Sequence, residues 1–262
     1  MSRSILMIHG YCCTGAAWDA VAPAFRALGW RVETPTLYPD ERIPAAPPAP
    51  LATRSLADYV DRMAEAAAAL QRETGAAPVL FGHSMGGMIC QKLIERGVGR
   101  AAVLWAPSTP ADARAKPKLA PLITFANIAF AAKPETKANK IWRTGFSWGV
   151  LNCVPKARHA ALYETAVYDS GRVLADLAWP ERDPNRTAFI DDAKIAAPIL
   201  TLAGAQDRTV SVEDVRLAGA KYAKLGGAYK EYADNAHWLV DEPGTERIIT
   251  DVAAWLDARV SA

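Results

Sequence analysis

The chain has 262 residues, a net charge of +2 and a hydrophobic content of 51%. That size and composition fit one α/β domain with a sizeable core and exclude a disordered or fibrous protein. The small charge, carried by basic residues scattered along the chain, excludes an electrostatic nucleic-acid surface.

Met1-Ser2-Arg3-Ser4 leads straight into an apolar run, with no h-region or small-residue cleavage site, so a cytoplasmic protein is expected. In chain order, strands are expected at Ser4–His9, Arg31–Leu37, Ala77–Phe81, Ala101–Trp105, Ile199–Ala203 and Ala228–Tyr232. Helices are expected at Trp18–Leu28, Leu56–Thr74, Met85–Glu95, Val212–Ala223 and Thr245–Arg259, with Gly29 and Gly97 as stops. The alternation predicts an α/β fold with a doubly wound, mainly parallel sheet. Two stretches interrupt it. Tyr38–Leu51, rich in proline, reads as a stiff extended excursion. Residues 108–192 carry no strand signal and read as an inserted helical cap, with 1–107 and 193–262 forming the core. Such an insertion leaves and rejoins at the carboxyl edge of the sheet, where ligands of open α/β folds bind. The apolar run Leu119–Ala132 is too short to span a bilayer. It suits a lid helix, a buried cap helix or a weak lipid-surface contact.

Gly82-His83-Ser84-Met85-Gly86 joins an expected strand to an expected helix. A Gly-x-Ser-x-Gly elbow in that context holds the serine hydroxyl out at the sheet edge, at a helix N-terminus. A serine needs a base to take its proton. Of the four histidines, His83 lies inside the elbow, His9 ends the first strand and His159 lies in the insertion. His237 follows the last strand, at the edge that carries Ser84, and is the expected base. Asp207, at the exit of the Ile199–Ala203 strand, is the expected acid that orients it, ahead of Asp234 and Asp241. The oxyanion donors are expected to be the backbone N–H of Met85 and one from the loop after the first strand, with Tyr11 preferred and Cys12 the alternative.

Together, His9-Gly10, the elbow, Asp207 and His237-Trp238 resemble the α/β-hydrolase superfamily, above all its compact capped esterases and lipases. The likeness covers nearly the whole chain. It implies a parallel sheet, a helical cap, a Ser84–His237–Asp207 triad and no cofactor. The chain departs from the pattern in starting directly at the His9-Gly10 strand and in having Tyr38-Pro39-Asp40-Glu41-Arg42 where the family usually has a glycine turn.

The four cysteines, Cys12, Cys13, Cys90 and Cys153, form no C-x-x-C pair, so neither a disulfide framework nor a metal site is expected. Cys12, Trp105, Phe125, Trp142, Trp148 and Trp238 are the expected substrate-pocket residues; packing of the cap onto the body is the other reading of its aromatics. Cys12 and Cys13 read as small buried residues or as sites of thiol-reagent sensitivity. The reading is a serine hydrolase of a small-molecule carboxylic ester with an apolar acyl or aryl part, a monomer or homodimer without stable membrane insertion. Two alternatives stand beside it. One is a cofactor-free dioxygenase, C–C hydrolase or lyase using the His–Asp pair as base. The other is a ligand receptor on a hydrolase scaffold.

Overall fold

The computed structural model describes residues 3–45 and 47–260. Six strands form a parallel sheet in the order β2-β1-β3-β4-β7-β8. They are β1 (Ser4–Ile8), β2 (Arg31–Glu33), β3 (Val79–His83), β4 (Ala101–Trp105), β7 (Ile199–Gly204) and β8 (Ala228–Tyr232). A two-residue pair, β5 (Ala138–Asn139) and β6 (Asp169–Ser170), runs antiparallel in a separate small sheet. β1, β3, β4 and β7 are buried throughout, which is why they read as unbroken apolar runs. Helices α1 (Ala22–Ala27), α2 (Leu56–Thr74), α3 (Met85–Glu95), α4 (Leu119–Thr124), α5 (Ala126–Ala129), α6 (Arg143–Gly145), α7 (Lys156–Glu164), α8 (Gly171–Ala178), α9 (Val212–Ala223) and α10 (Thr245–Arg259) complete the chain. None of the described helices is long and apolar enough to cross a membrane.

Local chemistry sets the boundaries. Ser55 and Asp58 form a reciprocal capping box at the start of α2, and Gly75, at φ +76°, ends it in the left-handed conformation. The strand order reverses between β1 and β3, so the loops after these two strands flank one crevice at the carboxyl edge. Trp18, Phe25, Phe81 and Trp105 interlock edge-on in the core, with Phe25 and Phe81 centroids 5.0 Å apart.

Several expectations are corrected. β2 stops at Glu33 rather than Leu37, because Pro35 has no N–H for a ladder and the Thr34 carbonyl turns against Gly15. β3 begins at Val79, past Pro78, and runs to His83. The expected Trp18–Leu28 helix splits into a 3-10 turn, Gly15–Trp18, and α1, whose start is set by Pro23 in its first turn. The described part of the Tyr38–Leu51 excursion is extended only locally, as at Pro48 with φ −66° and ψ 150°. Pro39 and Pro50 each open a 3-10 turn, at Pro39–Glu41 and Ala49–Thr53. The chain between β4 and β7 is mostly short helices but also holds β5 and β6, two-residue strands too short to leave a sequence pattern. The apolar run at 119–132 breaks at Phe125 into α4 and α5, so it is not one lid helix.

One buried charge cluster pins that insertion to the sheet. Arg42 Nη1 and Nη2 donate to Asp169 at 2.7 and 2.9 Å, and both side chains are fully buried. Tyr59 Oη donates to Asp169 Oδ1 at 2.7 Å, and Arg42 Nε donates to the Leu37 carbonyl at 2.6 Å. Burial opposes the Arg42 charge, but the facing carboxylate outweighs it and raises the guanidinium pKa. Arg42→Leu leaves Asp169 buried without its counter-charge. Urea denaturation is expected to show a loss of about 3–5 kcal/mol; a loss below about 1 kcal/mol would contradict this role.

Candidate active site

The elbow is built by close backbone approach. A Cβ on Gly82 would lie 2.3 Å from the Gly86 carbonyl oxygen, and one on Gly86 would lie 2.2 Å from that of Ile8. Neither position tolerates a side chain. Between them Ser84 takes φ +53° and ψ −119°, a strained conformation for a non-glycine residue. Neighbouring backbone over-determines it. The Ser84 N–H donates to the Trp105 carbonyl at 3.0 Å, and the Ser84 carbonyl accepts from the N–H groups of Gly87 and Ser108 at 2.8 and 2.9 Å. Met85 is the first residue of α3, so its N–H has no intrahelical acceptor.

The chain brings Asp207 and His237 together from two strand exits. Gly204 ends β7, and a Cβ there would lie 2.1 Å from the Ala236 carbonyl oxygen, so only glycine lets the two loops meet. Asp207 Oδ1 accepts from the N–H groups of Thr209 and Val210 at 2.7 and 2.9 Å. Its Oδ2 faces His237 Nδ1 at 2.8 Å, with both side chains almost wholly buried. That geometry leaves His237 Nε2 as the nitrogen able to exchange a proton. Asp234 is exposed, and Asp241 pairs with Arg158 instead.

Two further residues hold this loop, and sequence reasoning missed both roles. The buried Glu242 accepts from the N–H groups of Ala236 and Trp238, on either side of His237, at 2.7 and 2.9 Å, and from Asn235 Nδ2 at 3.1 Å. Burial raises its pKa, against the pull of these donors. His83 Nε2 meets the His237 carbonyl at 2.9 Å, and the two rings lie 4.9 Å apart. A carbonyl only accepts, so His83 is the donor and carries its proton on Nε2. Burial, then the neighbouring His237, lowers the His83 pKa to about 3. His9 is similar. Its Nε2 accepts the Leu37 N–H at 3.0 Å, and burial followed by the Arg42 charge lowers its pKa to about 3.

The loop after β1 is held by the insertion. The Cys12 N–H donates to Asp169 Oδ2 at 2.8 Å, and the Val167 N–H donates to the Cys12 carbonyl at 3.0 Å. The Cys12 amide is therefore taken by Asp169. No local signal pointed to Asp169, whose partners lie 127 and 157 residues away. Both thiols are buried, and burial raises the Cys12 pKa and pushes that of Cys13 up to about 12. These two cysteines are inert packing residues at neutral pH, not reactive thiols.

Ser84, Met85 and Tyr11 line one cavity of about 230 Å³. Pro121, Phe125, Leu174, Leu177 and Ala178 give it an apolar wall, while Ser108, Thr109, Arg114 and Ser211 give a polar one. Arg114, unnoticed in the sequence, donates through Nη2 to the carbonyls of Thr109 and Leu177 at 3.2 and 2.8 Å. Of the expected pocket residues, Phe125 lines this cavity and the others do not. Trp105 is a core residue packed on Trp18 and Phe81. Cys12 and Trp238 border a separate cavity of about 200 Å³ beyond the β1 loop. Trp142 donates through Nε1 to the Thr124 carbonyl and is exposed on one side, and Trp148 stacks under Arg208. Tryptophan content identifies none of these placements, because packing and ligand contact demand the same side chain.

A model of the alpha/beta hydrolase family matches residues 5–247, and the chain belongs to that family. Solved structures repeat its fold at low identity. A pyrethroid hydrolase from Sphingobium faniae JZ-2 is 17% identical, with a TM-score of 0.68 over 100% of both chains. A methylesterase from Arabidopsis is 12% identical, with a TM-score of 0.71 over 97% of this chain and 99% of its own. A monoacylglycerol lipase from Paleococcus ferrophilus is 16% identical, with a TM-score of 0.67 over 97% of this chain and 94% of its own.

Two predictions follow from the support of His237. Glu242→Gln places an amide donor against backbone N–H groups and displaces the loop. The kcat of whatever reaction the site performs is expected to fall on the order of tenfold or more, with KM nearly unchanged. An unchanged kcat would remove Glu242 from the positioning of His237. His83 binds a proton near pH 6.5 when unfolded but only near pH 3 when folded, so the unfolded chain holds more protons between those values. Its contribution is complete above pH 6.5 and is lost as pH falls toward 3. His83→Gln is expected to flatten the acid side of the stability curve by about 1.4 kcal/mol per pH unit, read from urea melts between pH 6 and 4. An unaltered slope would contradict a buried neutral imidazole.

Proposed function

We propose that this protein is a serine hydrolase that cleaves a small-molecule carboxylic ester with an apolar acyl part. The reading is carried by the juxtaposition of a strained elbow serine and a buried Asp–His pair at one sheet edge. Ser84 opens onto the same cavity as the Met85 backbone and an apolar wall. In this mechanism Ser84 Oγ attacks the ester carbonyl while His237 Nε2 takes its proton. Asp207 holds the imidazole in the tautomer that bears its proton on Nδ1 and stabilises the charged ring. The N–H groups of Met85 and Tyr11 receive the oxyanion, each donor worth about 3 kcal/mol in the transition state. His237 returns its proton to the departing alcohol, leaving an acyl group on Ser84. A water, deprotonated by the same imidazole, then releases the acid. Residues 108–192 act as the cap, supplying Phe125, Leu174 and Ala178 to the wall. The names of the structural relatives, a pyrethroid hydrolase, a methylesterase and a lipase, agree with ester cleavage on this scaffold.

The test is Ser84→Ala. Turnover of p-nitrophenyl butanoate is expected to fall on the order of 10⁴-fold or more with the melting temperature retained. A fluorophosphonate should add its mass to the wild type at Ser84 and not to the variant. Full hydrolysis by a folded Ser84→Ala protein would overturn the proposal.

A further inference from the structure

The cavity beside Ser84 does not end at its apolar wall. A second cleft of about 210 Å³ lies on the other side, between α4–α5 and α8. Pro121, Phe125, Leu174 and Ala178 line both spaces, so the two adjoin along one wall. Beyond that wall the outer cleft is bounded by Leu122, Ile128, Ala129, Ala175 and Trp179, with no charged side chain among its lining residues. The polar and charged groups of the site, among them Ser108, Thr109, Arg114, Ser211 and Asp214, line only the inner space. Half-buried Phe125 stands at the boundary, its ring edge-on to Tyr11 with centroids 6.4 Å apart. Two of its lining residues, Leu122 and Trp179, are 43% and 44% exposed. Leu119 and Phe130, on the same helical segment, are 75% and 79% exposed.

A compact acyl or aryl group would fill the inner space alone and leave the apolar lining of the outer cleft in contact with water, which is unfavourable. A flexible hydrocarbon chain joined to the serine ester would cover both. We propose that the acyl part of the substrate is an unbranched fatty chain, which runs from Ser84 past Phe125 into the cleft between α4–α5 and α8. This inference rests on Ser84 being the esterase nucleophile and extends that reading to the substrate class.

The test fills the outer cleft from either side, with Ala175→Trp on α8 and Ala129→Phe on α5; neither residue lines the inner cavity. The kcat/KM of the wild type on p-nitrophenyl butanoate, octanoate and dodecanoate is expected to rise with length, up to about fourfold per methylene buried. Each filled variant should lose about tenfold or more on dodecanoate and stay within about twofold on butanoate. A wild type that prefers butanoate, fillers that slow every ester equally, or a dependence on alcohol length with none on acyl length would each overturn the proposal. A non-catalytic arm separates it from the esterase reading. Ser84→Ala protein should bind a fluorescent fatty acid that dodecanoate displaces and butanoate does not, and Ala175→Trp in that background should weaken the binding. If no ester is hydrolysed but this binding holds, the serine chemistry fails and the chain site stands; if esters are cleaved but dodecanoate does not compete, the chain site fails.

Discussion

The site depends on the absence of two side chains. The Ile8 carbonyl occupies the space a Cβ of Gly86 would take, and the Gly86 carbonyl occupies that of Gly82. This approach sets the N-terminus of α3 against the end of β1 and forces the turn that lifts Ser84 out of the sheet. The strained dihedrals of Ser84 are held by hydrogen bonds to β4 and to the turn after it, not by its own preference. Because β1 and β3 are neighbours, the same packing sets the β1 loop beside the serine. The elbow serine and the β1 loop beside it are thus two products of one backbone contact.

The second half of the site is assembled by a similar contact, that of Gly204 with Ala236, but its precision comes from buried polar groups. Asp207 uses one oxygen on its own turn and the other on His237. Glu242 and His83 then fix the backbone of the base from opposite directions. Asp207 and Glu242 are matched with donors on their carboxylate oxygens, and His83 is matched on Nε2 while its buried Nδ1 has no partner. A neutral His83 avoids placing a second positive ring 4.9 Å from His237.

What could be read from the sequence follows from the range of the forces. The elbow, the six main strands and the capped helices are written in residues close together, as in Ser55 and Asp58 or Pro23 and α1. Asp207 follows the apolar run of β7, and His237 is marked instead by its place after the last strand, β8, a half-buried run holding Lys230 and Glu231. Glu242 lay five residues from the base, yet a glutamate before Pro243-Gly244 reads as turn chemistry until the fold shows both neighbouring amides turned toward it. Arg42 and Asp169 were illegible, since neither has a local partner and their pairing exists only across the assembled chain. The pocket aromatics failed for another reason. Trp105 buries its ring in the core and Trp148 lies half-buried under Arg208, and only Phe125 stands where the helical segment breaks beside the cavity.

The link between Cys12 and Asp169 has a consequence for how the molecule matures. The loop that would receive the oxyanion is tied by a residue 157 positions downstream, and that residue is itself held by Arg42 across 127 positions. The cost of closing so long a loop grows only slowly with its length, but the tie cannot form until residue 169 has been made. Strands β7 and β8 come later still in the chain, so the sheet is not complete before the segment that ties the β1 loop exists. Ordering of that loop and closing of the sheet therefore belong to the same stage of assembly.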